Sequence, residues 1–341
     1  MENFLIIRLS SLGDIIHTLP ALAALRKKFP KASISWVVEE KGQEILECVE
    51  GLNHIFTIKP QGWKPTKKQF WSELTKLKGK IANKKQTALD FQGLVKSAFI
   101  SFLSHSSPRI GFRRQNLREP LASFFYTHRP EKIPETIHVI SKNLRLLTVL
   151  GIKEENYEFP LSLADDLFQS VRAKLSRLGY NNNKKLIIFN VGAGWESKRW
   201  PAEKWIKLIS ILPKDGYFFL LLWGTKEEKA SASAISQETD IPLAPFLSIK
   251  EVMVLLEQAS LLISGDTFAL QAACALACPV VGIFGPTNPQ RNGPFRREDK
   301  VAFHRLECSY CYKRKCSKLD CLKKISAEEV AELSLQVLGK Q

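Results

Sequence analysis

An unbroken apolar span is missing from this chain. The longest uncharged stretch, residues 267–290, is long enough to cross a bilayer. Pro279, Gly282, Gly285, Pro286 and Pro289 interrupt it, and it reads as a helix, a buried strand and a loop. The opening residues also lack the basic start, apolar run and small-residue cleavage site of a secretory leader, so a cytoplasmic protein without a transmembrane segment is expected. Short catalytic signatures are absent as well. No loop ends in Gly-Lys-Ser/Thr, none reads GxGxxG, and neither HExxH nor GxSxG occurs, so any nucleotide is held in another way. His54, His105, His128, His138 and His304 show no metal-ligand spacing, and His17 stands alone one turn into the first helix. Acidic residues are scarce. Thirty-four Asp and Glu against fifty Lys and Arg leave +16, which points to anionic partners: nucleic acid, an anionic membrane surface or phosphorylated substrates.

What is present is an ordinary packed-core composition, 45% hydrophobic and 25% charged, too apolar for disorder. The 341 residues exceed what one core usually serves, so two domains are expected. Strand-like runs at 4–9, 33–38, 54–58, 87–90 and 109–111 alternate with helical patterns at 14–28 and 93–103. A polar crossing lies within 155–183. Strands at 186–191, 217–223, 261–264 and 280–284 then alternate with helices at 201–212, 227–237, 249–257 and 268–277, and a last helix covers 327–338. Such alternation is the signature of parallel sheets covered by helices on both faces. The fold class is therefore α/β, two doubly wound domains in series. Ligands of such sheets bind beyond the carboxyl ends of the strands, which makes the cleft between the domains the expected site.

Three strand-to-helix loops carry the candidate chemistry. Ser10-Ser11-Leu12-Gly13-Asp14 offers a tight turn and a carboxylate, and it reads equally as a helix N-cap. Gly192-Ala193-Gly194-Trp195-Glu196-Ser197-Lys198-Arg199 joins a small-residue loop to two cations suited to a diphosphate. Ser264-Gly265-Asp266-Thr267-Phe268, followed by Gly285-Pro286-Thr287, can hold a phosphate or merely cap and turn. Two segments are basic. Residues 59–85 hold nine Lys against Glu73, a pattern usual for a solvated face, while Arg109, Arg113, Arg114 and Arg118 suit bidentate recognition of phosphate or carboxylate. Cys48, Cys274 and Cys278 read as buried thiols. Cys308, Cys311, Cys316 and Cys321 form C-x2-C-x4-C-x4-C, which leaves open structural zinc, an iron–sulfur cluster or a metal-free Cys-rich loop. The spacing equals that of zinc knuckles, so a non-catalytic module contacting RNA through this loop is the alternative from another class, although nucleic acid is not the favoured partner.

Taken in order, the segments resemble glycosyltransferase family 9, the ADP-heptose:lipopolysaccharide heptosyltransferases, most closely the heptosyltransferase I branch. The resemblance runs through residues 8–20, 36–40, 90–98, 118–122, 138–140, Lys198-Arg199-Trp200-Pro201, Gly265-Asp266-Thr267 and Phe284-Gly285-Pro286-Thr287. It implies a GT-B architecture: two facing Rossmann-like domains, 1–162 for the acceptor and 163–325 for the nucleotide-sugar, with helix 326–341 packing back toward the first. The Cys-rich loop 308–321 falls in the second. It further implies inverting, metal-independent transfer of heptose from ADP-heptose to a Kdo–lipid A acceptor, or within the family another nucleotide-sugar or a later heptose. Asp14 matches the general base. Gly13, Lys198, Asp266, Thr267, Phe268, Gln271, Gly285 and Thr287, with Glu227 or Glu228, match the donor site. Ser10, Ser11, Lys64, Gln92, Arg113 and Arg118 are assigned to the acceptor. No cofactor is implied for catalysis. An anionic glycolipid on the cytoplasmic membrane face would account for the basic charge and make the protein peripheral there. The chain departs from the family pattern Asp-Thr-Gly-x-x-His: Phe268 replaces a small residue and Gln271 replaces the His, so a side chain that hydrogen-bonds without carrying charge stands there.

Overall fold

The computed structural model describes residues 2–59, 68–181 and 183–339. Lys64 lies outside them. The chain divides into two compact units, Met1–Ser162 and Leu163–Gln341.

The first unit runs β1 (Asn3–Ile7), α1 (Leu12–Ile16), α2 (Leu19–Lys28), β2 (Ser33–Glu39), α3 (Glu40–Leu46), β3 (His54–Ile58), α4 (Lys68–Ile81), β4 (Gln86–Asp90), α5 (Val95–Leu103), β5 (Arg109–Ile110) and α6 (Val139–Leu146). All strand pairs are parallel, in the order β3-β2-β1-β4-β5. Phe4 to Ile7 are buried without interruption because both faces of the sheet are covered, which is why β1 reads as a continuous apolar run rather than an alternating one. The helix expected over 14–28 is two helices. Pro20 has no N–H to give the Ile16 carbonyl, and the chain restarts at Leu19 with the proline in its first turn. The lysine-rich stretch contains a helix as well as a charged surface: in α4, Leu74, Leu77 and Ile81 recur at helical spacing and are buried.

The second unit runs α7 (Asp165–Ser176), β6 (Lys185–Asn190), α8 (Ala202–Ile211), β7 (Tyr217–Leu222), α9 (Lys226–Thr239), α10 (Ile249–Glu257), β8 (Leu261–Gly265), α11 (Phe268–Ala275), β9 (Val280–Ile283), α12 (Pro289–Asn292), β10 (Lys300–Ala302), α13 (Asp320–Lys323) and α14 (Ala327–Leu338). Its sheet is parallel in the order β10-β9-β8-β6-β7. The terminal helix α14 packs on α8, β8, β9 and β10, placing Val330, Val337 and Leu338 in the core of this unit. Among the described residues no helix is long and apolar enough to cross a membrane.

Each sheet reverses its strand order once, between β1 and β4 in the first unit and between β6 and β8 in the second. Loops leaving these strands are where doubly wound sheets bind ligands. Asp14 follows β1, Lys198 follows β6, and Asp266 and Thr267 follow β8.

Candidate active site

In the first unit Asp14 is the third residue of α1, and its carboxylate accepts from the Ser11 N–H at 3.1 Å and the Ser11 hydroxyl at 3.0 Å. The capping reading is therefore realised. It does not exhaust the group: the other oxygen pairs with Arg8 Nη2 at 2.7 Å, and 36% of the side chain remains exposed. A carboxylate oxygen has two lone pairs, so capacity is left for a hydroxyl proton. Enclosure by the surrounding chain raises the Asp14 carboxyl, but Arg8, then His17 and the Ser11 bonds, outweigh it and hold it below the ordinary carboxylate value.

Asp90, at the end of β4, shows the opposite environment. Fully buried, it accepts from Gln92 N–H at 2.9 Å, Gly93 N–H at 3.2 Å, Ser97 Oγ at 2.8 Å and Tyr126 Oη at 2.7 Å. Burial raises its carboxyl despite these bonds. Gln92 passes the restraint on, its Oε1 accepting from Leu9 N–H at 3.0 Å and Ser10 N–H at 3.1 Å. Arg8 also donates to the Phe91 carbonyl. Asp90 is thus an anchor that fixes the loop, and Asp14 is the carboxylate open to chemistry.

In the second unit Lys198 Nζ donates to Asp266 Oδ2 at 2.7 Å and to the Asp266 carbonyl at 3.1 Å. Gly265 permits this approach, since a Cβ there would stand 3.1 Å from the Lys198 carbonyl oxygen. Thr267 Oγ1 lies 3.0 Å from both Asn190 Nδ2 and Ser264 Oγ, which are themselves 2.9 Å apart. Gln271 Nε2 reaches Asp266 Oδ1 at 3.4 Å and the Asn292 carbonyl at 2.8 Å, so it braces the loop at the position where the family pattern has His. Thr287 is 1% exposed and its hydroxyl has no hydrogen-bond partner among the described residues. Phe268 opens α11 half-buried.

The remaining assignments separate. Glu228 caps α9, accepting from the Gly224 and Thr225 N–H groups at 2.9 Å each, and it packs where a Gly192 Cβ would lie. Glu227 is the exposed carboxylate, 3.3 Å from Arg199. Arg113 is exposed and donates Nε to the Pro130 carbonyl, while Arg118 is exposed. Gly13 lies within α1, and Ser10 and Ser11 lead into it. The possibility of a metal at the cysteines is not supported: among the described residues no three His, Cys, Asp or Glu side chains converge to hold an ion. Cys308 and Cys311 are exposed and all four thiols are free. Arg8, Asp90, Tyr126, Asn190 and Ser264 carry the geometry; Arg8, Asp90 and Ser264 stood in the sequence motifs without a role of their own, and Tyr126 and Asn190 lay outside them. Asn190 and Ser264 had a visible signal, a polar residue near the carboxyl end of an otherwise apolar buried strand.

Residues 74–322 match glycosyltransferase family 9 (heptosyltransferase). The chain belongs to this family. Among family 9 relatives it is 30% identical to lipopolysaccharide heptosyltransferase 1 of Campylobacter coli over 353 residues, covering 98% of this chain and 99% of that one. It is 28% identical to the Pseudomonas aeruginosa protein of the same name over 320 residues, covering 92% and 87%. The solved structure of E. coli heptosyltransferase WaaC with ADP superposes with a TM-score of 0.79 at 24% identity, covering 98% and 99% of the two chains. A second structure of the E. coli protein, with ADP-2-deoxy-2-fluoro heptose, gives 0.77 at 24% identity over 97% and 98%. The family 9 fold is the GT-B arrangement of two parallel-sheet α/β domains, and the chain is a glycosyltransferase. A non-catalytic RNA-binding reading is not favoured.

Proposed function

We propose that the chain is an inverting, metal-independent heptosyltransferase of lipopolysaccharide inner-core assembly, moving heptose from ADP-heptose to a Kdo–lipid A acceptor. The carrying observation is the contrast between two carboxylates: Asp90 is sealed and saturated, whereas Asp14 is ionised by its neighbours and still open. Asp14 takes the proton of an acceptor hydroxyl as that oxygen bonds to the anomeric carbon. The bond from that carbon to the diphosphate breaks on the opposite side, and its electron pair leaves with ADP. Lys198, steered by Asp266, supplies fixed positive charge to the departing diphosphate, with Thr267 and Thr287 hydroxyls beside it. Acceptor carboxylates and phosphates fall to Arg113 and Arg118, with Ser10 and Ser11 beside the base and Gln92 holding their loop.

The same reading makes the protein peripheral on the cytoplasmic membrane face. Leu121 and Phe124 are 64% and 74% exposed and stand three residues apart in the 3-10 turn Pro120–Phe125, which aligns them on one face. Phe102, 49% exposed, packs its ring 6.0 Å from Phe125. An anionic lipid surface fits this apolar cluster and its arginine rim.

The deciding experiment is ADP release from purified protein given ADP-heptose and Kdo–lipid A. Release should require the acceptor. Asp14→Ala should cut turnover by about 10²–10⁴-fold while ADP affinity is kept. Undiminished turnover in that variant, or no release from folded wild-type protein, overturns the assignment.

A further inference from the structure

The four-cysteine segment is the motif that the reaction above leaves unused, and its contacts lead to the donor loops. The Tyr312 N–H donates to the Pro286 carbonyl at 3.1 Å. The Arg314 carbonyl accepts from the Ser197 N–H at 3.2 Å, and the Lys313 carbonyl from the Ser197 hydroxyl at 2.5 Å. Ser197 is 1% exposed, so these bonds are sheltered from water. Gly285 has no room for a side chain, because a Cβ would stand 2.8 Å from Leu322 Cδ2 and 3.1 Å from Cys321 Sγ. The segment is therefore fastened to the loop after β6 and the loop after β9. In the sheet those strands flank β8, whose loop bears Asp266 and Thr267.

The charge balance shows what the segment adds. Lys198 is already matched by Asp266, and Arg199 by Glu227 at 3.3 Å. A nucleoside diphosphate leaving group needs positive charge beyond such balanced pairs. Arg314 brings it. Its Cζ lies 5.5 Å from the Trp195 ring centroid, and Lys198 Nζ borders the same ring at 4.4 Å. Arg314 makes no ion pair among the described residues, and stacking on the indole limits where its guanidinium can go.

We propose, resting on the donor reading above, that the segment 308–321 is a wall of the donor site and that Arg314 lays its guanidinium on the diphosphate of the nucleotide-sugar. Two parallel N–H donors suit that group better than a lysine point charge. Cys321 packs against Gly285 in that wall.

The test is calorimetric titration of ADP, and separately of adenosine, into the full chain and its Lys198→Ala, Arg314→Ala and Arg314→Lys variants. Arg314→Ala should weaken ADP by about tenfold or more and leave adenosine unchanged, with Arg314→Lys recovering part of the loss. Arg314 is exposed, so thermal midpoints should match wild type. ADP affinity that depends on Lys198 but not on Arg314 overturns this proposal and leaves the donor reading standing. Equal loss of ADP and adenosine also overturns it, assigning the segment to packing alone. Wild-type protein that binds no ADP removes the donor reading and this proposal together.

Discussion

Under the proposed mechanism, Asp14 with Arg8 beside it is a base whose weakness is part of its design. The guanidinium keeps the carboxyl ionised, and by lowering its proton affinity it also limits its strength as a base. The acid limb of kcat/KM should therefore lie below the ordinary carboxylate value. Arg8→Met removes the lowering influence, so the limb should move to higher pH while turnover falls; a pH–rate profile of both proteins reads this. Asp299 carries the opposite sign. Its side chain is 1% exposed, and burial, against the pull of Arg296 and the Val280 N–H, raises its carboxyl to about 6. The folded state then holds the proton more tightly than the unfolded state between the ordinary value of 3.8 and about 6. Its contribution to stability is therefore largest below that window and falls as pH rises through it. Denaturant midpoints at pH 5 and pH 7.5 should show this decline in wild type and a smaller one in Asp299→Asn.

The loop that aims Asp14 depends on elements far away in sequence. Tyr126 follows a 3-10 turn, Asp90 ends β4, and Gln92 ties that end to Leu9 and Ser10. Tyr126→Phe deletes one of the four bonds to a buried carboxylate and should cost about 1–3 kcal/mol in a denaturation experiment. It should also lower turnover more than ADP affinity, because the disturbed loop belongs to the first unit. This dependence explains what was legible. Strands such as β1, β7 and β9 were readable because they are apolar nearly throughout, and Asp14 because its motif is compact. The roles of Arg8 and Asp90 were hidden because the partners that define them stand as many as 83 residues away. Pro20 did carry a readable signal for the break between α1 and α2. Strand β10 is three residues long, too short for alternation to show, and α3 is largely polar. The cysteine spacing left metal and metal-free readings open for a physical reason: ligand spacing is a property of sequence, whereas coordination requires side chains to converge, and among the described residues no such group forms.

Across the whole molecule, a part of the surplus of +16 lies beside exposed apolar residues. Residues 109–132 carry six Lys and Arg against two Glu, a local balance of +4. Charge of this kind attracts an anionic surface within a Debye length, and apolar side chains convert attraction into insertion. Leu121 and Phe124 are open enough to insert without disturbing the unit, and Arg109 stacks on Phe102 at 5.7 Å beside them. Sedimentation with phosphatidylglycerol vesicles should therefore carry the protein down, less so as salt rises, and phosphatidylcholine vesicles should not. A Leu121→Ser/Phe124→Ser double variant should bind the anionic vesicles at least about tenfold more weakly, since each buried apolar side chain is worth about 1.5–3 kcal/mol. Its melting temperature should stay unchanged because neither side chain is in the core. Undiminished vesicle binding would take the lipid role away from this face, and a change confined to self-association in sedimentation velocity would give the face to a second copy of the chain instead.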